Sequence, residues 1–299
     1  MNFSSTQKGD LLVFSQSLLS ALFPIATVVT YRSLAPLASL AYSSVFTALV
    51  FAVIYSFRPQ WREFLQPGVF KELLFVSLLI GVGFYGLYFY GLSKTTAGNA
   101  SIIALMEIFF SYLFFHVWRK EEMDYRHIAG GLLMLFGAMA VLFNKAMQFQ
   151  VGDVYVLAAT ALPPLGNYFQ QKLRKRASTS TILLGRSVLT LPFLFLLCLM
   201  LGEKPSWPAA QGSVWFLILN GAVFLGLTKI LWLEGIHRIP VTKANIISSA
   251  SPVLTLFFAA LFLKQSPTFW QLLAFAPMAL GLWLLVGQKP VSEAEMENA

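Results

Sequence analysis

The chain repeats itself at a nearly constant spacing. Gly9-Asp10 recurs as Gly152-Asp153, 143 positions on, and at the same offset Ser44, Val45 and Thr47 meet Ser187, Val188 and Thr190. At an offset of 144, Gly91 meets Gly235, and Ala100, Ile102 and Ile103 meet Ala244, Ile246 and Ile247. Phe114, Lys120 and Gly137 meet Phe258, Lys264 and Gly281 in the same way. The identities are few, so the fixed offset carries the argument: the chain is two copies of one unit. Each copy holds an odd number of membrane-length apolar segments. The second copy therefore enters a bilayer the opposite way round from the first.

That the surrounding solvent is lipid follows from composition. Of 299 residues, 57% are hydrophobic and 11% charged, more apolar surface than a soluble domain of this size can bury. A spanning helix needs roughly 20 mostly apolar residues. Such segments fall at 11–30, 36–57, 72–93, 97–118 and 125–144 in the first half, and at 151–171, 181–201, 212–235, 241–263 and 268–287 in the second. The longest loops, 58–71 and 202–211, are punctuated by Pro67-Gly68 and Pro205. The first apolar run is too long for a signal-peptide core and ends in Val29-Thr30-Tyr31-Arg32, a poor cleavage site, so it reads as a helix of the mature protein. The expected fold is an all-α membrane protein of ten transmembrane helices in two inverted five-helix repeats, residues 1–145 and 146–299, the second ending in a short acidic tail.

The net charge of +8 fits the same picture, because basic residues gather in cytoplasmic loops. With the N-terminus inside, 14 Lys and Arg residues fall in inside regions and 5 in outside loops. That asymmetry puts both termini in the cytoplasm. The KLRKR cluster at 172–176 joins the halves and reads as a topology anchor, not a nucleic-acid patch. Cys198 is the one cysteine, so no internal disulfide forms; His116, His127 and His237 are scattered. No metal-ligand spacing, phosphate-binding glycine loop or nucleophile elbow appears. No catalysis and no cofactor are expected, and the chain reads as a conduit.

In a conduit, the informative residues are polar, aromatic or helix-breaking ones at membrane depth. Glu107 sits ten residues into the fourth span; a carboxylate there is costly unless it faces a cavity, pairs with a cation or carries a proton. Lys229 and Arg186 lie in the inner third of their spans, where they either snorkel to the interface or form a basic site for an anionic group. Glu234, at a span end, is interfacial or a partner for Arg186. The third span carries Phe84, Tyr85 and Tyr88 at helical spacing, and its repeat mate has Trp232 at the Tyr88 position. Such rings line a pathway or face lipid. Pro24, Pro163, Pro164, Pro192, Pro252 and Pro277 fall inside spans, where proline removes a backbone donor and bends the helix. The Pro163-Pro164 pair, followed by Gly166 and Asn167, is the strongest such break, with Pro24 standing opposite Asn167 in the repeat. Asn99, Asn220, Asn245 and Ser248 are the neutral polar candidates.

Two stretches carry a resemblance: AGNASIIALMEIFFSYLFFHVWRKEEMDYRHIAGGLLMLFGAMAVL at 97–142 and VTKANIISSASPVLTLFFAALFLKQSPTFWQLLAFAPMALGLWLL at 241–285. The chain resembles the drug/metabolite transporter superfamily, specifically its EamA-type ten-helix members, over nearly its whole length. That family tends to show Glu-Pro in the fourth span of a repeat. Here Glu107 is followed by Ile108, while Pro252 is preceded by Ser251, so each half keeps one part. Arg186 matches an arginine frequent in the second span of such repeats. The resemblance implies alternating access around a central cavity lined by spans 1, 3, 4, 6, 8 and 9, with spans 5 and 10 peripheral and available for dimer contacts.

The expected function is export of amino acids or similar amphiphilic metabolites across the inner membrane, with the proton as candidate coupling ion through Glu107. The partners are a small-molecule substrate and the lipid bilayer, the assembly a monomer or weak homodimer. Uptake or exchange of a nucleotide-like or S-adenosyl metabolite, its base stacked on the aromatic residues, is the alternative, as is polyspecific drug export.

Overall fold

The computed structural model describes residues 4–119, 125–142, 150–239 and 241–286. Lys120, Lys145, Lys289 and the acidic tail lie outside them. Among the described residues every regular element is helical, as a bilayer requires of a chain that is not a closed barrel. Ten helical rods follow one another: α1 (Ser5–Thr30), α2 (Pro36–Ser56), α3 (Val69–Leu92), α4 (97–119), α5 (Tyr125–Leu142), α6 (151–174), α7 (Thr179–Met200), α8 (Val214–Ile236), α9 (241–263) and α10 (Phe269–Val286). Two short helices, Trp61–Phe64 and Trp207–Gln211, cross the two long loops.

Local chemistry sets the ends. Ser4 and Gln7 form a reciprocal capping box on α1. Thr96 accepts from the Asn99 N–H at the start of α4, and Ser178 from the Thr181 N–H at the start of α7. Pro36 opens α2, where its missing N–H costs nothing. Gly68 (φ 82°) and Gly202 (φ 75°) supply the left-handed turns before α3 and after α7.

Six rods, α1, α2, α3, Ala97–Phe114 of α4, α7 and α8, are long and apolar enough to cross a membrane by length and composition alone. Shorter apolar helices lie at Ile128–Leu142, Ser251–Leu263 and Phe269–Leu285. Rod α6 stands apart because its second half, Pro163–Arg174, carries Asn167, Gln170, Gln171 and Lys172. Large apolar side chains face outward all round, among them Leu49, Val53, Leu199, Trp215, Phe257, Leu261 and Trp283, the surface expected against acyl chains.

The halves pack by exchange. Rod α1 packs on α8 and α9, and α6 packs on α3 and α4; α2 packs on the middle of α8, and α7 on the middle of α3. Rods α2 and α7, α4 and α9, and α5 and α10 pair with each other. Shared glycines mark these crossings. A Cβ on Gly91 would stand 2.8 Å from the Gly152 carbonyl oxygen, and one on Gly152 2.4 Å from that of Gly91. A Cβ on Gly235 would meet Val13 at 2.5 Å, one turn from Gly9. These are the same glycines that recur at the repeat offset, so the spacing records close backbone approach.

The irregularities also recur. Rods α3 and α8 both contain π-helical segments, Ser77–Phe84 and Leu219–Leu227. Rods α4 and α9 are both interrupted, at Leu105 and at 249–250, and α6 is interrupted at 161–162. Pro163 and Pro252 stand in the first turn after two of these breaks. The α4 break has no proline. By contrast α1 passes through Pro24 as one helix, although the sequence pairs Pro24 with the break in α6.

Candidate functional site

The interruptions converge on one cavity. Its larger chamber, about 430 Å³, is bordered by Leu105, Glu107 and Ile108 from the α4 break, by Pro163 and Asn167 from α6, and by Ser248 from α9. Rod α1 adds Gln16, α3 adds Ile80, Phe84 and Tyr85, α7 adds Leu183 and Arg186, and α8 adds Thr228, Lys229, Trp232 and Leu233. A second chamber of about 250 Å³ continues past Pro24, Ser101, Ser251, Pro252 and Thr255 to Phe23, Tyr88 and Phe224. Phe84, Tyr85, Glu107, Thr228, Lys229 and Ser248 border both chambers and so sit at their junction. Rods α5 and α10 contribute no lining residue to either; the expected lining set is present, with α7 added.

An acidic and a basic side chain meet at the junction. Glu107 lies in the first turn of Met106–Arg119, where the exposed N–H groups of a half-helix favour a negative charge. Lys229 is close enough to act on Glu107 through space, yet among the described residues neither makes an ion pair within 4.0 Å. Both are half-buried.

The polar groups around them are held in place. The Ser248 hydroxyl donates to Gln16 Oε1 at 3.2 Å, and the carbonyl of Ser248, freed by the α9 break, accepts from Ser17 at 3.5 Å. Thr255 donates to the Ala21 carbonyl at 3.1 Å, tying α9 to α1. The far chamber ends in an aromatic plug. Phe23 stacks on Tyr88 at 5.9 Å and meets Phe89 and Phe224 edge-on at 5.8 and 6.3 Å. The Tyr31 hydroxyl donates to the Phe89 carbonyl at 2.8 Å and locks α1 to α3.

Of the sequence-predicted residues, Glu107, Lys229, Tyr85, Tyr88, Trp232, Ser248, Pro24, Pro163, Asn167, Pro252 and Arg186 all border the two chambers. Pro164 is buried beside its break, and Gly166 packs against Ile80, where a Cβ would stand at 2.4 Å. Asn99 is elsewhere: its amide donates to both carboxylate oxygens of Asp153 at 3.3 and 3.1 Å and accepts from Gln271 at 2.7 Å. The side chain of Asn245 lies outside the described residues. Glu234 is not the partner of Arg186. It pairs with Arg238 one turn on, at 2.7 Å, while Arg186 donates to Gln170 at 3.3 Å.

The loops at one end of the bundle are clamped together. Glu72 pairs with Lys172 at 3.1 Å and with Arg176, and Arg176 also donates to the Pro67 carbonyl at 2.9 Å. Glu63 accepts from the Ser178 N–H and hydroxyl at 2.8 and 2.9 Å. Burial pushes the Glu63 carboxyl up, but hydrogen bonds from Thr181 and Ser178 outweigh it and hold the group below the usual carboxylate range.

Apolar outer faces, helices broken at mid-length and a charged cavity at the breaks define a membrane transporter. The comparisons say which kind. The model of the EamA-like transporter family matches residues 7–143 and again 150–287, and the chain belongs to that family. It is similar to the uncharacterized transporter YoaV of Bacillus subtilis (strain 168), 25% identical over 210 residues, 68% of this chain and 71% of that one. It is also similar to the aromatic amino acid exporter YddG of Ancylobacter novellus, 28% identical over 177 residues, 58% of this chain and 61% of that one. A solved crystal structure shares the fold with a TM-score of 0.67 at 18% identity, covering 92% of this chain and 95% of the other.

Proposed function

We propose that this transporter exports small amphiphilic zwitterions, amino acids or close relatives, across the cytoplasmic membrane. The observation that carries the reading is Glu107 and Lys229 at the junction of the two chambers, with no ion pair within 4.0 Å among the described residues. The Glu107 carboxylate takes the substrate ammonium, the Lys229 ammonium takes the substrate carboxylate, and Phe84, Tyr85 and Trp232 receive the apolar side chain. The name of the relative YddG, an aromatic amino acid exporter, is consistent with that trio.

In this reading all ten rods cross the bilayer, as two inverted repeats within 1–145 and 146–299, with both termini cytoplasmic. The 14-to-5 asymmetry of basic residues supports the orientation. The larger chamber then opens toward the cytoplasm and the aromatic plug closes the outside. Access alternates as the plug parts and the inner ends of α1, α3, α6 and α8 close. Glu107 carries a proton when no ammonium is bound. The functional unit is a monomer or a weak homodimer. The aromatic wall of the inner chamber also fits a planar base, so an S-adenosyl or nucleotide-like substrate is the second reading.

Binding is tested by thermal shift of the purified protein against amino acids, nucleosides, sugars and cationic drugs, since a ligand that prefers the folded state raises its melting temperature. Stabilisation by amino acids that disappears in Glu107→Gln and in Lys229→Ala supports the first reading. Stabilisation by adenine compounds alone replaces it with the second. Proton coupling through Glu107 is refuted if Glu107→Gln transports like the wild type at every pH.

A further inference from the structure

Among the described residues Arg186 is a charge without a counter-charge. It is 8% exposed, its guanidinium donates to the neutral Gln170 at 3.3 Å, and among the described residues no carboxylate stands within 4.0 Å. A buried cation left without an anion costs several kcal/mol, so something outside the described side chains balances it. Packing alone does not demand the charge. At the repeat-equivalent position, 143 residues earlier, stands Ser43, which borders the π-helical segment of α8 as Arg186 borders that of α3.

Beside Arg186 a pocket of about 30 Å³ opens at the crossing of α2 and α7, bordered by Ser44, Thr47, Ser187, Thr190 and Tyr85. The two threonine hydroxyls are committed: Thr47 donates to the Gly221 carbonyl at 2.9 Å and Thr190 to the Arg186 carbonyl at 2.8 Å. Ser44 and Ser187 are repeat mates, and among the described residues neither hydroxyl has a hydrogen-bond partner. Arg186 and two serines without a hydrogen-bond partner among the described residues therefore border one small space, while Arg186 also borders the larger chamber, where it meets Gln170. A cation is repelled from it, and a water fills it without balancing the charge. A space of about 30 Å³ suits a small anion and disfavours one as large as gluconate.

We propose that Arg186, Ser44 and Ser187 bind one small monovalent anion, either a free halide or the carboxylate of a ligand reaching in from the cavity past Tyr85. The anion neutralises Arg186 and fixes the α2–α7 crossing against α3. The site goes beyond the zwitterion reading and is tested without any substrate.

The test is the melting temperature of the purified protein in sodium chloride, bromide, formate or gluconate at equal ionic strength. Gluconate is too large for the pocket and sets the baseline. The site predicts a saturable stabilisation by chloride, bromide or formate, absent from Arg186→Gln. Ser187→Ala, which keeps the arginine, raises the half-saturating concentration severalfold. An effect of the halides assigns the site to free inorganic anion, and an effect of formate alone assigns it to a ligand carboxylate. Identical melting in all four salts overturns the proposal, as does a salt effect that survives in Arg186→Gln. Should Arg186→Gln fail to fold, unchanged anion saturation in Ser187→Ala overturns it equally.

Discussion

Asp10 and Asp153 are the same residue of the two repeats, yet the structure assigns them different energetic weights. Asp153 is 1% exposed and accepts from Thr95 and Asn99, while Gln271 completes the network behind Asn99. Asp10 pairs with Lys243 at 2.7 Å, with side chains 36% and 45% exposed. Lys243 is itself the repeat equivalent of Asn99, 144 positions on. Replacing Asp153 by Ala strands two donors, the buried Asn99 amide and the half-buried Thr95 hydroxyl. At about 1–3 kcal/mol for each unsatisfied group, the cost is about 2–6 kcal/mol. Replacing Asp10 by Ala removes a solvated ion pair and costs about 0–1 kcal/mol. For a chain of this size about 1 kcal/mol moves the melting temperature by roughly 2 °C, so Asp153→Ala should melt at least roughly 2 °C below Asp10→Ala. The assay is intrinsic-fluorescence melting of the detergent-solubilised variants. Equal melting temperatures would refute the argument that the environment of Asp153, and not its repeat position, sets its weight.

Other expectations follow from single contacts. Gly152→Val drives a side chain into the Gly91 and Lys94 carbonyls, 2.4 and 2.5 Å from the new Cβ, so the protein should lose its monodisperse peak on size exclusion. The Glu63 carboxyl is held below its usual range, so its stabilisation is present above the unfolded-state value and is lost as pH falls through the folded-state value. Glu63→Gln should therefore melt lower than the wild type at neutral pH and converge with it in acid, and a constant difference across the pH range contradicts this. Tyr85→Ala should weaken binding of a ligand with an aromatic side chain by about 1–2 kcal/mol, roughly tenfold, with a smaller loss for glycine-like ligands, as measured by titration.

The fold was legible because lipid imposes a length and a periodicity that sequence displays directly. Ten apolar runs became ten helical rods, and the glycines that recur at the repeat offset turned out to touch one another across the halves. The breaks were half legible. Pro163 and Pro252 announce two of them, but α4 breaks at Leu105 without a proline, and the π-helical segments of α3 and α8 carry glycines that read equally as helix-packing positions. Glu107 and Lys229 stood out because charge at membrane depth is rare. Gln16, Gln170 and Thr228 did not, because a neutral polar residue looks the same whether it lines a cavity or packs between helices. Asn99 shows the reverse error: its polarity marked it as a ligand group, while Asp153 and Gln271, its partners from the second half, were far away in sequence.

The most direct test of the central claim uses tritiated amino acids with proteoliposomes carrying the wild type, Glu107→Gln or Lys229→Ala. The account predicts saturable flux of at least one amino acid in the wild type, and at least tenfold less flux through both variants at unchanged protein folding. Undiminished flux through either variant, or flux only of ligands lacking an ammonium or a carboxylate, would contradict it.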